Sequence, residues 1–404
     1  MVRRDLLGLG CGMRTGNEAH RCQPLFRIPF NAQGIAAMCR DCRVLYIQSK
    51  CEQSASLIHT VNYKNFCVIY NFWEGVNSVD SESRITLVLH STPSFFKYIE
   101  IQASSWEGPL SVALYVPLSV SVNSTASVLS MNIVSLMPHH RQVQWSQLED
   151  EMPADFIYPI NVARNIARNG SKTELFLSSD IENFFVPKYE SRMRKLAQRL
   201  LLKEKKKTVL VHRRFEVAEA SGIPQDKRQL RKRMKEKKAF TFHDHVFKVG
   251  HEIEGLQEWL RVPENFNEAT VFRELQYGRM EWEPQFVATQ SIPMHDESFP
   301  FRRRSHTHLS VILCRLGYTF TIVNDLFSVH NGFKRQITEY EIRLLRMTMN
   351  SYKKVFRFFF FFNYPKQTLI LTYFRRSCLA PFCLHFFNIP IHDSRCQIFH
   401  LNCQ

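Results

Sequence analysis

The chain of 404 residues has no run of about 18 uninterrupted apolar residues, the length a helix needs to cross a bilayer core, so no membrane-spanning helix is expected. The nearest approaches, a Ser-rich stretch at 112–137 and a Phe-rich tail, are broken by hydroxyls, Pro or charge. Met1-Val-Arg-Arg-Asp5 leads only into a short Leu/Gly run, which does not read as a signal peptide. Cysteine is missing from the body of the chain: of eleven, six precede Val68 and four follow Ser377, leaving only Cys314 between. A disulfide framework would not normally avoid the middle of a fold. Cys39 and Cys42 form C-x-x-C with Cys51 and Cys67 further on, but a zinc site wants a second close pair and none follows.

Acidic residues are outnumbered, 37 against 53 Lys and Arg, for a net charge of +16. Much of the excess lies between Lys188 and Lys238, and it suits nucleic acid, an anionic membrane surface or an acidic glycan. Aromatics are absent from the basic block 226–238, so it offers no platform for stacked bases. Tyr189, Met193, Leu196 and Leu200 recur at helical spacing and leave the neighbouring Lys and Arg on a solvated face. A basic nucleic-acid-binding protein is therefore the weakest functional reading.

From Arg84 the chain acquires a pattern. Arg84–His90 reads as a strand, Ser91-Thr-Pro93 as a helix start, and Phe95, Phe96, Ile99 and Ala103 as one helical face. Gly108-Pro109 ends that helix before a strand at Leu110–Val116, giving a β-α-β unit with parallel strands. A third strand is expected within Val128–Met137. Ile160, Ala163, Ile166 and Ala167 then form one face of a helix that Gly170 stops.

Leu175–Leu177 follows as a short buried strand, and it runs out into Ser178-Ser-Asp180-Ile-Glu182. Ligands of open α/β sheets sit at the carboxyl ends of strands. Asp180 and Glu182, on one side of an extended backbone, would offer hard oxygen ligands to a divalent cation there. The alternative is a strand meeting water with ordinary charged residues. Strands are expected again at Thr208–Val211 with Phe215–Val217 and at Tyr318–Val323, and a short helix at Leu256–Leu260. Phe272–Phe286 mixes aromatics with charge, as sugar sites do. Leu326–Val329 carries His330 into a Gly turn. After about Arg357 come five consecutive Phe and then Cys, His and Pro without period. The expected division is an irregular segment 1–83, one α/β domain 84–340 and a tail 341–404 that is non-domain or wrongly predicted coding sequence.

Six segments in order carry a resemblance: RITLVLHSTPSFFKYIEIQASSWEGPLSVALYV, FIYPINVARNIAR, LFLSSDIE, MEWEPQFV, HDESF and FSVHNGFK. Together they resemble glycosyltransferase family 49, which includes a β-1,4-glucuronyltransferase and the second catalytic domain of the LARGE glycosyltransferase. The resemblance covers roughly residues 84–335. It implies a GT-A, Rossmann-like α/β fold with a mixed sheet, a UDP-sugar donor (glucuronate or N-acetylglucosamine), a glycan acceptor, Mn²⁺ and inversion at the anomeric carbon. It also implies Golgi residence, membrane association and a homo- or hetero-oligomer, with no nucleic acid as partner.

Matched by motif, Asp180, Glu182 and His330 would hold the metal, and Asn161, Arg164 and Asn165 would lie with Asp180 near the donor. Asp296 is the expected base with Glu297 second, and Trp282 and Glu283 the expected acceptor contacts. Three departures stand out: no N-terminal anchor, a short and diverged 117–155 span, and Glu182 where the family more often has Asp. The alternative reading is an inactive glycan-binding relative. Two N-glycosylation sequons occur, at Asn123 and Asn169.

Overall fold

The computed structural model describes residues 60–64, 66–70, 83–116, 127–133 and 157–361, together with four short N-terminal strands at Met13–Thr15, Glu18–His20, Pro24–Phe30 and Gly34–Cys39. Asn123 and the Phe-rich tail beyond 361 lie outside these residues, as do Cys42 and Cys51. No helix among the described residues is long and apolar enough to cross a membrane.

One large mixed sheet organises the rest. In chain order its strands are β1 (Thr60–Tyr63), β2 (Phe66–Ile69), β3 (Ile85–Ser91), β4 (Leu110–Val116), β5 (Ser127–Ile133), β6 (Leu175–Ser178), β7 (Asn183–Phe185), β8 (Thr208–Val217), β9 (Ala239–Thr241), β10 (Val271–Leu275), β11 (Gln285–Thr289) and β12 (Thr319–Asn331). Their order across the sheet is β7-β12-β8-β11-β6-β3-β4-β5-β2-β1, with β9 on β8 and β10 on β12. β3 is parallel to both β4 and β6, and β8 is parallel to β12. β11 lies antiparallel between β6 and β8, which makes those two parallel to each other. The carboxyl ends of β3, β4, β6, β8 and β12 and the amino end of β11 therefore share one rim.

The helices follow from their apolar faces. α1 (Phe96–Ser105) buries Ile99 and Ala103 as expected. Pro93 opens a 3-10 turn before it, and no side chain caps the helix. α2 (Ile160–Asn169) buries Ile160, Ala163, Ile166 and Ala167 against the opposite face of the sheet. α3 (Tyr189–Ala197) buries Tyr189, Met193 and Leu196 in the same core as α1, and Leu200 continues that stripe in a π-helical turn. The basic block forms α4 (Lys227–Lys235), capped by Asp226, whose carboxylate accepts from the Gln229 N–H at 2.6 Å. Its Lys and Arg are solvated except Lys227, which donates to Asn324 Oδ1. α5 (Asp244–His251), α6 (Leu256–Arg261) and α7 (Thr307–Arg315) complete the central layers.

Ordered chain continues past residue 340. α8 (Glu339–Met347) starts with a capping box between Thr338 and Glu341. α9 (Met349–Phe361) buries Phe359 edge-on against Phe299, with ring centroids 5.1 Å apart.

The strand expected over Thr208–Val211 with Phe215–Val217 is β8, unbroken and with every position buried. One sequence expectation changes. Tyr318–Val323 and Leu326–His330 are a single strand, β12.

Candidate active site

Each expected ligand sits at the shared rim. Asp180 follows β6 directly, but not on extended backbone. The Asn183 N–H donates to the Asp180 carbonyl at 3.2 Å, closing a turn that holds Asp180 and Glu182 at neighbouring positions. Asn183 then opens β7, where it pairs with His330 across the antiparallel ladder. The ladder thus brings to Glu182 a histidine remote in sequence. Beyond His330 the chain turns at Gly332 with φ +92°, where any Cβ would also meet Glu219 Oε1 at 3.1 Å.

The Asp180 carboxylate, 44 % exposed, faces two guanidiniums and an imidazole that burial keeps neutral. Arg164 Nη2 lies 3.3 Å from Oδ1, His90 Nε2 3.5 Å from Oδ1, and Arg214 Nη2 3.7 Å from Oδ2. Burial alone would push this carboxyl up; His90, Arg164 and Arg214 outweigh it and hold the group well below the usual carboxylate range. Glu182 is the opposite case. It has no hydrogen-bond or ion-pair partner among the described residues, and burial pushes its carboxyl up, with Asp180 adding to the rise and His330 opposing it.

These residues fit a divalent cation, although they are not preassembled as a cage, since no group of three His, Cys, Asp or Glu already surrounds a point among the described residues. Glu182 is a half-buried carboxylate lacking a partner, the group a cation would satisfy. His330 Nδ1 lies 3.3 Å from the Gly332 carbonyl, the second contact that orients ligating imidazoles, and its Nε2 has no partner among the described residues. Carboxylates with an imidazole suit Mn²⁺.

The polar face of α2 is buried, which a solvated helix face would not be. It clamps the loop that follows β11. Asn161 donates to the Asp296 carbonyl, Asn165 to the His295 carbonyl, and Arg168 to the carbonyls of Gln290, Ile292 and Pro293. Arg164 bonds Asn161 Oδ1 and the Ser305 carbonyl while reaching Asp180. Of the three expected donor contacts in this helix, Arg164 alone touches an expected metal ligand.

The clamped loop carries Asp296 and Glu297. Glu297 Oε1 accepts from Tyr63 and Asn165, and Oε2 pairs with Lys64. Asp296 Oδ1 accepts from both the Ser298 N–H and hydroxyl. Both expected bases thus already have donors. Trp282, expected at the acceptor, is 4 % exposed and packs on Tyr277 and Phe320 at 5.7 and 5.3 Å between centroids. It is a core residue, part of the apolar cluster that also holds Tyr277 and Phe320. Glu283 beside it is different. It lies just before β11 at the rim, has no side-chain partner among the described residues, and is pushed up by burial while facing Arg214 and Asp180.

Besides His90, two further site residues were not singled out from the sequence, Arg214 and Glu216, which sit side by side near the carboxyl end of β8. Arg214 lies over the Phe242 ring at 3.8 Å. Glu216 is 0 % exposed, pairs in register with His330, and is pushed up to about 7 by burial. Its Oε1 lies 3.9 Å from His243 Nε2, and burial and Arg214 lower that imidazole to about 3. Asn169, one sequon, is exposed at the end of α2.

The sequence profile of the family described as "Glycosyl-transferase for dystroglycan" matches residues 84–145 and 130–360, which includes every residue of this rim. The chain belongs to that family. Family relatives include mouse xylosyl- and glucuronyltransferase LARGE2, 25 % identical over 61 % of this chain and 34 % of that protein. Beta-1,4-glucuronyltransferase 1 of Danio rerio is 21 % identical over 62 % of this chain and 67 % of its own length, and that of Bos taurus is 30 % identical over 44 % and 41 %. The chain spans about a third of the length of the LARGE2 protein it matches. Among solved structures, GalNAc-T7 with UDP, GalNAc and Mn²⁺ aligns with 54 % of this chain and 40 % of its own at 10 % identity and TM-score 0.26, too distant a likeness to bear on the site. The α/β class with a mixed sheet, expected from the sequence, is the observed fold.

Proposed function

We propose that the chain is an inverting glycosyltransferase that moves glucuronate from UDP-glucuronate to a glycan hydroxyl, with Asp180, Glu182 and His330 holding Mn²⁺. The observation that carries this reading is Glu182, a half-buried carboxylate without a partner, set between Asp180 and the strand partner of Asn183. A bound divalent cation would neutralise charge on the departing UDP. The glucuronyl group is favoured over N-acetylglucosamine because the relatives above are named for glucuronyl or xylosyl transfer.

Inversion requires one direct displacement. The acceptor hydroxyl oxygen bonds the anomeric carbon, the carbon–oxygen bond to the diphosphate breaks with its electron pair leaving on UDP, and the hydroxyl proton passes to a carboxylate. Glu283 takes that proton, since Asp296 and Glu297 are engaged elsewhere and Asp180 faces two guanidiniums. Arg164 fixes Asp180 and ties the clamped loop to the rim. Family membership supports a Golgi setting and a glycan acceptor, and exposed Asn169 would be open to N-glycosylation on the secretory route.

A second reading, an inactive glycan-binding relative, draws on the arginines that already occupy Asp180. Release of UDP from UDP-glucuronate, with Mn²⁺ and with chelator, separates the two. Metal-dependent release abolished by Asp180→Ala supports the enzyme; no release by folded wild type overturns it.

A further inference from the structure

Among the arginines that face Asp180 at the rim, Arg214 is the one whose bonding is incomplete. Its side chain is 5 % exposed, and Nε and Nη2 are buried without a hydrogen-bond partner among the described residues. Arg164, equally buried, is by contrast committed to Asn161, Ser305 and Asp180. A buried guanidinium donor left without a partner is destabilising, which points to a partner that completes it.

The groups facing Arg214 are Asp180, Glu283, Glu216 and Arg164. None closes a hydrogen bond to it: Asp180 stands 3.7 Å from Nη2 and is shared with Arg164 and His90, and the Oε atoms of Glu216 are themselves unpaired. The Phe242 ring covers one face of the guanidinium at 3.8 Å, which fixes its plane and leaves the edge to bond. A planar edge with two free N–H groups matches a carboxylate in bidentate fashion. Turning Asp180 towards a cation at Glu182 and His330 would uncover that edge.

We propose that Arg214 reads the carboxylate of an acidic nucleotide sugar, and so sets the preference for a uronate over the corresponding neutral hexose. This rests on the transferase reading above. It assigns the cation–diphosphate contact to Asp180, Glu182 and His330, and the sugar carboxylate to Arg214.

Calorimetric titration of the full chain with UDP, UDP-glucose and UDP-glucuronate, each with Mn²⁺, tests it in wild type, Arg214→Gln and Arg214→Lys. UDP-glucose carries a neutral hydroxymethyl group where UDP-glucuronate has the carboxylate and is otherwise the same. Wild type should bind UDP-glucuronate more tightly than UDP-glucose by on the order of 10- to 100-fold, the range of one charged hydrogen-bonded contact. Arg214→Gln should erase that ratio while leaving UDP affinity within about 3-fold, and Arg214→Lys should keep part of it.

Equal wild-type affinities for the two sugars overturn the assignment without any variant, so a misfolded mutant does not shelter it. Equal losses on all three ligands in Arg214→Gln also overturn it and place the guanidinium on the diphosphate. Failure of wild type to bind UDP at all with Mn²⁺ overturns the transferase reading and this one together.

Discussion

His330 stands across the β7–β12 ladder from Asn183, the residue immediately after Glu182, so a hydrogen-bonded register joins two proposed ligands separated by most of the domain. Removing either should therefore affect the same event. Glu182→Gln and His330→Ala should each weaken Mn²⁺-dependent UDP binding by at least about 10- to 100-fold while leaving the far-UV spectrum unchanged. Glu182→Asp, one methylene shorter, should retain metal dependence.

The pH–rate profile should carry a raised acid limb. Burial lifts the Glu283 carboxyl above the ordinary glutamate range, so kcat/KM should fall as pH drops through that raised value, where the carboxylate becomes protonated and unable to accept a proton. Glu283→Gln should abolish transfer with little change in UDP affinity. Transfer by that variant at near wild-type rate would move the base elsewhere.

Glu216 makes a stability prediction of definite sign. Its folded value near 7 lies above the 4.5 of an exposed glutamate, so the native state holds the extra proton between those values. Stability contributed by that proton is present below about 4.5 and is lost as pH rises through about 7, up to about 3 kcal/mol. Metal-free Glu216→Gln should gain Tm relative to wild type on going from pH 5 to pH 8. His212, lowered to about 3 chiefly by burial, acts oppositely on both proteins and cancels in that difference.

Trp282→Ala should destabilise the fold by about 3–5 kcal/mol in urea unfolding, as for a large aromatic lost from a core. Trp282→Phe should lose far less and leave the acceptor KM unchanged, since the indole is buried between Tyr277 and Phe320.

Much of this arrangement is legible in the sequence where burial follows hydrophobicity. The apolar runs of β3, β4 and β6 and the face Ile160, Ala163, Ile166 and Ala167 fall where periodicity places them. Charge misled it. Arg213, Arg214 and Glu216 carry charges that ordinarily face water, yet they are buried inside β8, where the Ile253 and Glu254 carbonyls receive Arg213, and Asp180 and the Phe242 ring face Arg214. The YPIN-x-x-RN segment is readable as a helix, but not as a clamp on Gln290–Ser305, since main-chain carbonyls leave no signature in the loop's side chains. Trp282 carried the reverse error: an aromatic among charges resembles a sugar platform, and only the packing of Tyr277 and Phe320 shows it to be core.

Calorimetric titration of UDP into wild type and Glu182→Gln, with Mn²⁺ and then with chelator, tests the shared-cation geometry most directly. Tight binding by wild type that chelator removes, and that Glu182→Gln lacks, is the predicted result. UDP bound equally well by both proteins, or without any metal, would contradict it.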